Sequence, residues 1–301
     1  MNGFLVVDKP GGMTSHDVVG RLRKMTGERS IGHLGTLDPM ATGVLPLLMG
    51  KFTRLAQYFS SAEKSYSGAI RFGFSTDTYD AEGKADGPDL FPDLLPPLTL
   101  EQVRAAAARF HGEMDQMPPP FSAKKINGQP AYKLAREGKP VELKTAKVRI
   151  VCFEITRLGG EGFEASEVGF TISVSAGGYV RSVAHEMGQI LGCGAHLSRL
   201  RRTQAGAFTV DHSHSLAELE LLSGDEKALE ACCVHPRSLL PEMPSVTGDA
   251  QALGRLRNGA QANLPEFSQA PLVKVFAGQR ELIGIAKRIA GTLFQPIVVM
   301  G

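Results

Sequence analysis

Cysteine is scarce in this chain, and the few cysteines have no spacing typical of a metal or redox site. The sequence contains Cys152, Cys193, Cys232 and Cys233, with no CxxC pair. Adjacent cysteines make poor disulfide partners, so we expect reduced structural thiols, as in a cytosolic protein. The eight histidines are scattered and add no His/Cys ligand spacing. We therefore expect no metal site.

Long hydrophobic runs are also missing. No apolar run approaches the roughly 18–20 residues that a membrane helix needs. The first residues, MNGFLVVDKPGG, lack the basic start and long apolar stretch of a signal peptide. These absences predict a cytoplasmic protein without membrane contact. The 301 residues, of which 43% are hydrophobic, leave room for one large domain or for two.

The net charge of +2 does not by itself indicate a nucleic-acid partner. The charges are unevenly distributed, however. Residues 121–150 contain eight Lys or Arg against two Glu, and residues 251–301 contain six against two. A solvated surface would explain either region alone. Two basic regions in a near-neutral chain are a weak indication that the protein binds a polyanion.

Hydrophobic periodicity predicts alternating strands and helices, with a small β module at the end. Strands are expected over 4–7, 66–74, 148–155 and 168–174, and helices from Thr14, over 99–110 and over 180–191. Residues 30–43 contain three glycines and an Asp-Pro step, which predicts a structured loop. After a proline-rich stretch, three short apolar segments between 272 and 300 predict the β module, so we place a domain boundary near residue 240.

General motifs exclude several classes of enzyme and select none. No GxSxG turn, phosphate-binding loop or strand–GxGxxG–helix unit is present, which argues against hydrolases, P-loop proteins and nucleotide-binding oxidoreductases. Asp38 lies in the glycine-rich loop just before Pro39, with no second carboxylate near it in the sequence. An aspartate in this setting is usually a turn residue.

The full sequence of this loop carries more information than its composition. Residues 32–43 read GHLGTLDPMATG, which resembles the signature GHxGxLDPxATG of the TruB family of pseudouridine synthases. Further segments are similar to family motifs and occur in the family's order, at residues 3–15, 64–66, 76–78, 116–125, 178–182, 191–196 and 200–202. These segments span most of residues 3–203, so the resemblance is specific.

The resemblance implies an α+β fold with a mixed, mostly antiparallel sheet that holds the active-site cleft. Residues 1–239 would form the pseudouridine synthase catalytic domain, with a basic flap at about 121–150. Residues 240–301 would form a small PUA-like β-barrel that binds RNA. The implied reaction isomerises uridine to its C-glycoside, and it needs no cofactor, redox change or energy source.

The family's motifs place three catalytic residues on this chain. Asp38 corresponds to the essential carboxylate, which either attacks covalently or removes a proton from the sugar. Arg181 would pair with Asp38 and keep it charged. Tyr66 would stack on the target base and assist proton transfer at C5. On pattern alone, an exposed strand-end charge would be the favoured interpretation of Arg181, and Tyr66 could equally be a plain strand aromatic.

Residues expected to bind the substrate follow from the same motifs. They are His33, Tyr179, Lys9, Lys125 and Leu200. His33 would meet the RNA near the position that the extruded base leaves, and Tyr179 would pack in the same pocket as the base. The two lysines are expected to contact phosphates.

The resemblance therefore predicts a monomeric enzyme that modifies uridine-55 in the T-loop of tRNA without a guide RNA. Three alternative functions agree less well with the sequence. An RNA-binding or tRNA-folding module without catalysis would not need the intact Asp38, Tyr66 and Arg181. A guide-dependent synthase would need partner proteins, whereas this chain has its own basic flap segment. A nucleotide-binding oxidoreductase would need a strand–GxGxxG–helix unit, which this sequence lacks.

Overall fold

The computed structural model describes residues 1–91, 97–122, 125–126, 129–130 and 143–300. The strands of the first part of the chain are β1 (Gly3–Lys9), β2 (Ile31–His33), β3 (Thr42–Met49), β4 (Lys64–Phe72) and β5 (Gly112–Gln116). Strand β6 (Lys125–Ile126) pairs antiparallel with β7 (Gln129–Pro130). The next strands are β8 (Ala146–Gly160), β9 (Phe163–Val174), β10 (Ala195–Ala205), β11 (Phe208–Thr209) and β12 (His214–Ser215).

Helices connect these strands and open the last part of the chain. They are α1 (Ser15–Thr26), α2 (Leu100–Ala107), α3 (Val180–Leu191), α4 (Leu216–Leu221), α5 (Glu226–Ala231) and α6 (Ala250–Arg257). The predicted helix starts are confirmed, since Thr14 and Thr99 each form a capping box with the residue three positions on. Such caps satisfy amide groups that the helix leaves without partners and contribute about 1 kcal/mol each.

The large sheet is mixed and mostly antiparallel, as the fold-class prediction required. Its strand order is β12-β1-β3-β10-β4-β9-β8-β5, with β2 beside β3 and β11 beside β10. The parallel neighbours are β1 with β12 and β3 with β10. The β3–β10 pair matters for function because β3 follows directly on the signature loop. It places Arg201 and Arg202 of β10 beside Thr42 and Gly43 at the end of that loop.

The strand β1 is apolar throughout because both of its faces are buried. Leu5 and Val7 face a core shared with α1, α2 and α3, whereas Phe4 and Val6 face a second core. Alternate side chains of a strand point to opposite faces, so a strand between two cores needs a continuous apolar run.

A second, curled sheet forms the carboxyl-terminal half-barrel. It contains β13 (Ser245–Thr247), β14 (Ala262–Asn263), β15 (Leu272–Ala277), β16 (Glu281–Ala290) and β17 (Leu293–Val299), in the order β13-β15-β16-β17-β14. The three longest strands are those expected from the sequence. Phe276, Leu282 and Ile285 of this sheet share the second core with Phe4 of the large sheet, so apolar packing joins the two sheets.

Two segments differ from the expectations. The loop predicted over 30–43 contains the short strand β2, which pairs with β3. The basic segment predicted as a flap over about 121–150 includes residues 146–150, which belong to β8 and pair with β5. Residues 123–124, 127–128 and 131–142 of that segment lie outside the described residues. Within the described ranges, no helix is both long and apolar enough to cross a bilayer.

Candidate active site

Asp38 lies in the loop between β2 and β3, and the first helix holds that loop in place. The Ser15 hydroxyl accepts a hydrogen bond from the Leu37 amide at 2.8 Å and lies 3.2 Å from the Leu37 carbonyl, to which it donates. The Gly12 amide donates to the Pro39 carbonyl at 2.9 Å. The residues on both sides of Asp38 are thus fixed by the segment that follows β1.

Gly43 lets the end of this loop approach β10. Its φ is +102°, a conformation that favours glycine, and an added Cβ would come within 2.1 Å of the Arg202 carbonyl oxygen. Arg202 itself is buried and donates from Nε to the Val44 carbonyl at 2.6 Å and from Nη2 to the Gly35 carbonyl at 3.1 Å. Arg202 therefore ties both ends of the signature loop to the sheet.

The Arg181 guanidinium makes two close contacts with the Asp38 carboxylate. Its Nη2 donates to Oδ1 at 3.1 Å, and its Nε lies 2.9 Å from Oδ2. The Asp38 side chain is 31% exposed, whereas the Arg181 side chain is 6% exposed. The pairing expected from the sequence is therefore present. A guanidinium fork of this kind fixes both the charge and the orientation of a carboxylate.

Other groups surround Arg181 on its buried side. Its Nη1 donates to the Thr78 carbonyl at 2.9 Å and lies 3.4 Å from Oδ2 of the buried Asp80. Its Nη2 also donates to the Phe121 carbonyl at 2.9 Å. Asp80 is a functional candidate that the sequence analysis missed. It lies two residues beyond the motif at 76–78, and a single carboxylate at that position gives no signal of its own.

The start of α3, which carries Arg181, is anchored by the end of β5 and the residue that follows it. The buried Gln116 amide makes two hydrogen bonds with the Tyr179 backbone, at 2.8 Å to its N–H and 3.0 Å to its carbonyl. The Ser182 hydroxyl donates to the Met117 carbonyl at 2.7 Å. These bonds explain why Gln116 belongs to a family motif, a role that sequence reasoning did not assign.

A cavity of about 300 Å³ brings most of the predicted residues together. It is lined by Asp38, Tyr66, Tyr179, Arg181 and Leu200, and also by Lys64 and Arg202. Tyr66 comes from β4 and Leu200 from β10, which are adjacent strands. The cavity falls in the size range of small-ligand sites and has an apolar wall with a few convergent polar groups.

The pKa values in this cavity reflect burial opposed by charge. Burial raises the pKa of Asp38, and the Arg181 guanidinium counteracts this rise. Burial also raises the pKa of the Tyr179 phenol and lowers that of Lys64. Arg181 therefore favours the ionised form of a carboxylate that its surroundings would tend to protonate.

A wider groove of about 670 Å³ adjoins the cavity, and Leu200 lines both. Thr42, Ser67 and three arginines, at 157, 199 and 201, contribute to its wall. Arg201 pairs with Asp8 at 2.7 Å, and Arg199 pairs with Glu167 at 3.0 Å. The groove therefore combines hydroxyl and guanidinium groups on the open side of β4 and β10.

The structure corrects the prediction for Lys9. Its side chain is fully buried, and Nζ donates to the carbonyls of Pro10, Met13 and Pro39 at 2.9, 2.6 and 3.2 Å. An ammonium group held by three carbonyls below the surface cannot contact a phosphate from solution. Burial lowers the pKa of Lys9 to about 8. Its role is to hold the turn next to Asp38.

His33 is not among the described residues that line the cavity. His33 lies in β2 opposite Leu47, and burial lowers its pKa, with the Arg202 charge adding to the effect. Its Nδ1 is buried without a hydrogen-bond partner among the described residues. The Lys125 side chain lies outside the described residues. Within the described ranges, no three His, Cys, Asp or Glu side chains are grouped as metal ligands would be.

Comparisons with known proteins agree with this geometry. The family profile described as TruB family pseudouridylate synthase (N terminal domain) matches residues 23–180. The profile described as tRNA pseudouridylate synthase B C-terminal domain matches residues 181–239, which precede the curled sheet.

Similar proteins cover the whole chain. A tRNA pseudouridine synthase B from Solibacter usitatus is 42% identical over 303 residues, covering 100% of both chains. One from Aquifex aeolicus is 37% identical over 97% of this chain and 98% of its own.

Among solved structures, a chain of an H/ACA ribonucleoprotein bound to a substrate RNA containing 2′-deoxyuridine is 22% identical. It aligns with a TM-score of 0.68 over 99% of this chain and 85% of that chain, which shows the shared fold. A chain of a Cbf5-Nop10-Gar1 complex is 24% identical, with the same TM-score and coverage. With its signature loop, its Asp38–Arg181 pair and these full-length relatives, the chain belongs to the TruB family of pseudouridylate synthases.

Proposed function

We propose that this protein converts uridine-55 in the T-loop of tRNA to pseudouridine, with Asp38 as the essential carboxylate. The observation that carries the proposal is the Asp38–Arg181 ion pair in the wall of a cavity that also contains Tyr66. The full-length relatives named tRNA pseudouridine synthase B support tRNA as the substrate.

The reaction breaks the bond between N1 and C1′ of uridine and forms a bond between C5 and C1′. Atoms and electrons balance within the substrate, so no external reactant is needed. Asp38 serves either as a nucleophile that forms a covalent intermediate or as a base that removes a sugar proton. Both routes need the ionised carboxylate, which the Arg181 guanidinium favours by its charge.

The cavity fits one extruded nucleoside rather than a helix. A base inside a folded loop must leave its stack before an enzyme can reach its sugar carbon. Tyr66 and Leu200 supply aromatic and apolar walls for the base, and Tyr179 stands on the same side as Arg181. The adjoining groove with its three arginines is suited to the sugar–phosphate chain on either side of that nucleotide.

The same proposal assigns roles to the two parts of the chain. Residues 1–239 act as the catalytic domain, and residues 240–301 act as a PUA-like RNA-binding domain. The surplus of Lys and Arg after residue 251 supports the second role. We infer a monomer that works in the cytoplasm without a guide RNA. The 42% identity to a protein named tRNA pseudouridine synthase B, against 22–24% to chains of an H/ACA ribonucleoprotein and of a Cbf5-Nop10-Gar1 complex, supports this inference.

The decisive experiment incubates the purified protein with an unmodified tRNA transcript and maps pseudouridine along it. We expect one modified position, in the T-loop. A transcript with cytidine at position 55 is the matched control and should yield no product. Binding of the transcript without any pseudouridine would refute the enzyme and support the RNA-binding alternative.

A further inference from the structure

Tyr79 has a backbone conformation that is rare for a large side chain. Its φ is +65°, in the left-handed region, where the Cβ of an ordinary residue is crowded against the backbone. Among the described residues, Leu240 is the other non-glycine residue with positive φ. Conformations of this kind persist where surrounding contacts hold them, often next to functional sites.

Tyr79 lies between the two residues that contact Arg181 on its buried side. The Thr78 carbonyl precedes Tyr79, and the Asp80 carboxylate follows it. Both face Nη1 of Arg181, at 2.9 and 3.4 Å. In an extended segment, neighbouring groups point to opposite sides, so a reversal at position 79 allows both to face one guanidinium.

Backbone bonds tie this turn to the sheet. The Tyr79 amide donates to the Thr76 carbonyl at 3.2 Å, and the Tyr79 carbonyl accepts from the Leu197 amide at 3.0 Å. The Asp80 carboxylate is held by the Thr78 hydroxyl at 2.7 Å and by the Glu82 amide at 3.1 Å. These bonds set the position of the turn relative to β10, but none of them reaches α3.

The side chain of Tyr79 provides the link to α3. Its ring stacks on the imidazole of His185, with ring centroids 3.8 Å apart and planes inclined by 11°. His185 follows Arg181 by one helical turn, so the two side chains lie on the same face of α3. The turn at 78–80 therefore contacts this face twice, through polar groups at Arg181 and through a ring at His185.

We propose that Tyr79 is a positioning residue for the catalytic ion pair. The Tyr79–His185 stack holds the 78–80 turn against α3, so that Thr78 and Asp80 orient the Arg181 guanidinium toward Asp38. Tyr79 and His185 do not line the cavity, so they act through Arg181 and not on the substrate. Both rings are only half-buried and lie outside the hydrophobic cores, which separates this role from core packing. The inference rests on the proposed function.

The test compares single-turnover rates of pseudouridine formation with dissociation constants for tRNA. Tyr79→Ala and His185→Ala are each expected to lower the rate by about tenfold, the size of an aromatic pair contribution, while the dissociation constant stays unchanged. Tyr79→Phe and His185→Phe keep two stacked rings and should retain most of the rate. The exposed His111→Ala is the matched control and should change neither quantity.

The two alanine substitutions should not be additive. If both act through one contact, the double variant should be no slower than the slower single variant. Additive losses, an unchanged rate in both alanine variants, or a loss of tRNA binding equal to the loss of rate would overturn the proposal. If thermal melting shows that Tyr79→Ala does not fold, the comparison of His185→Ala with His185→Phe tests the proposal in its place. A wild-type protein that makes no pseudouridine would instead refute the proposed function, so the two failures can be told apart.

Discussion

Asp38 and Arg181 are separated by 143 positions in the sequence, yet the carboxylate and the guanidinium meet in two contacts of 3.1 and 2.9 Å. Asp38 comes from a loop that α1 and β10 hold in place, and Arg181 from the first turn of α3. Neither residue lies on a long, freely moving segment. The pair is therefore set up before any substrate arrives, which is the condition for efficient electrostatic catalysis.

Asp38→Asn should abolish turnover without unfolding the protein. The amide has nearly the same shape as the carboxylate but can neither attack carbon nor accept a sugar proton, so we expect a loss of at least about 10³-fold. Arg181 keeps its contacts with Asp80, Thr78 and Phe121. Single-turnover assays and filter binding measure the two effects. The exposed Asp211→Asn is the control, and activity of Asp38→Asn near that of the control would show that Asp38 is misassigned.

Arg181→Lys should slow the reaction by about 10²-fold and shift its pH dependence. Lysine keeps the charge but cannot make the forked contact with both carboxylate oxygens. Burial already raises the pKa of Asp38, and the guanidinium opposes this rise. Lysine opposes this rise less, so the pKa of Asp38 should be higher in the variant. On acidification, the variant should therefore lose activity at a higher pH than the wild type does. A pH–rate profile of the variant that coincides with that of the wild type would contradict the proposed role.

Gln116→Ala should lower both stability and rate. The substitution leaves the Tyr179 amide and carbonyl without their side-chain partner at the start of α3, at a cost of about 1–3 kcal/mol. Chemical denaturation measures the stability change. Glu113 is exposed on the same strand, and Glu113→Ala is expected to change stability by less than about 0.5 kcal/mol. Equal effects of the two substitutions would mean that the Gln116 bonds contribute little.

Lys9→Met should leave the salt dependence of tRNA binding unchanged. A lost phosphate contact would reduce the slope of log affinity against log salt by about 0.7–0.9. The buried ammonium makes no such contact, because three backbone carbonyls already surround it. Binding titrations between low and moderate salt measure the slope. A clear reduction in the slope would restore the original prediction that Lys9 binds phosphate.

The Lys9→Met variant also tests, through the pH dependence of stability, whether the Lys9 ammonium is buried. The pKa of Lys9 is about 8 in the folded protein, below its ordinary value of 10.5. The unfolded chain thus binds this proton more tightly, and the ammonium destabilises the fold at neutral pH. Between pH 8 and 10.5 this penalty is relieved, so the stability of the wild type relative to Lys9→Met should rise. A difference in free energy of unfolding that stays constant over this range would contradict the burial of the charge.

The sequence predicted several of the strands and helices, and the family, but not how each residue is used. The apolar run at 4–7 predicted a buried strand, whereas its position between two cores follows only from the packing of the two sheets. The Asp38–Arg181 pair could be predicted because both residues lie in distinctive family motifs. Asp80 and Tyr79 have no such motif, and their proximity to α3 depends on how the turn at 78–80, which follows β4, packs against that helix.

For Lys9, the local sequence suggested a role that the folded structure contradicts. A lysine beside Pro-Gly-Gly in a chain that resembles RNA-modifying enzymes is readily interpreted as a phosphate contact. Burial depends on the direction of the backbone carbonyls around it, and local sequence does not specify that direction.

By itself, the sequence determined which segments become strands and helices, because hydrophobic period and capping residues act over a few neighbours. It also determined the chemical groups available to the site. The tertiary structure decided which of those groups meet. The parallel β3–β10 pair and the packing of α3 set distances between residues more than a hundred positions apart. A carboxylate or an ammonium then takes its pKa and its role from partners that only the folded chain brings near it.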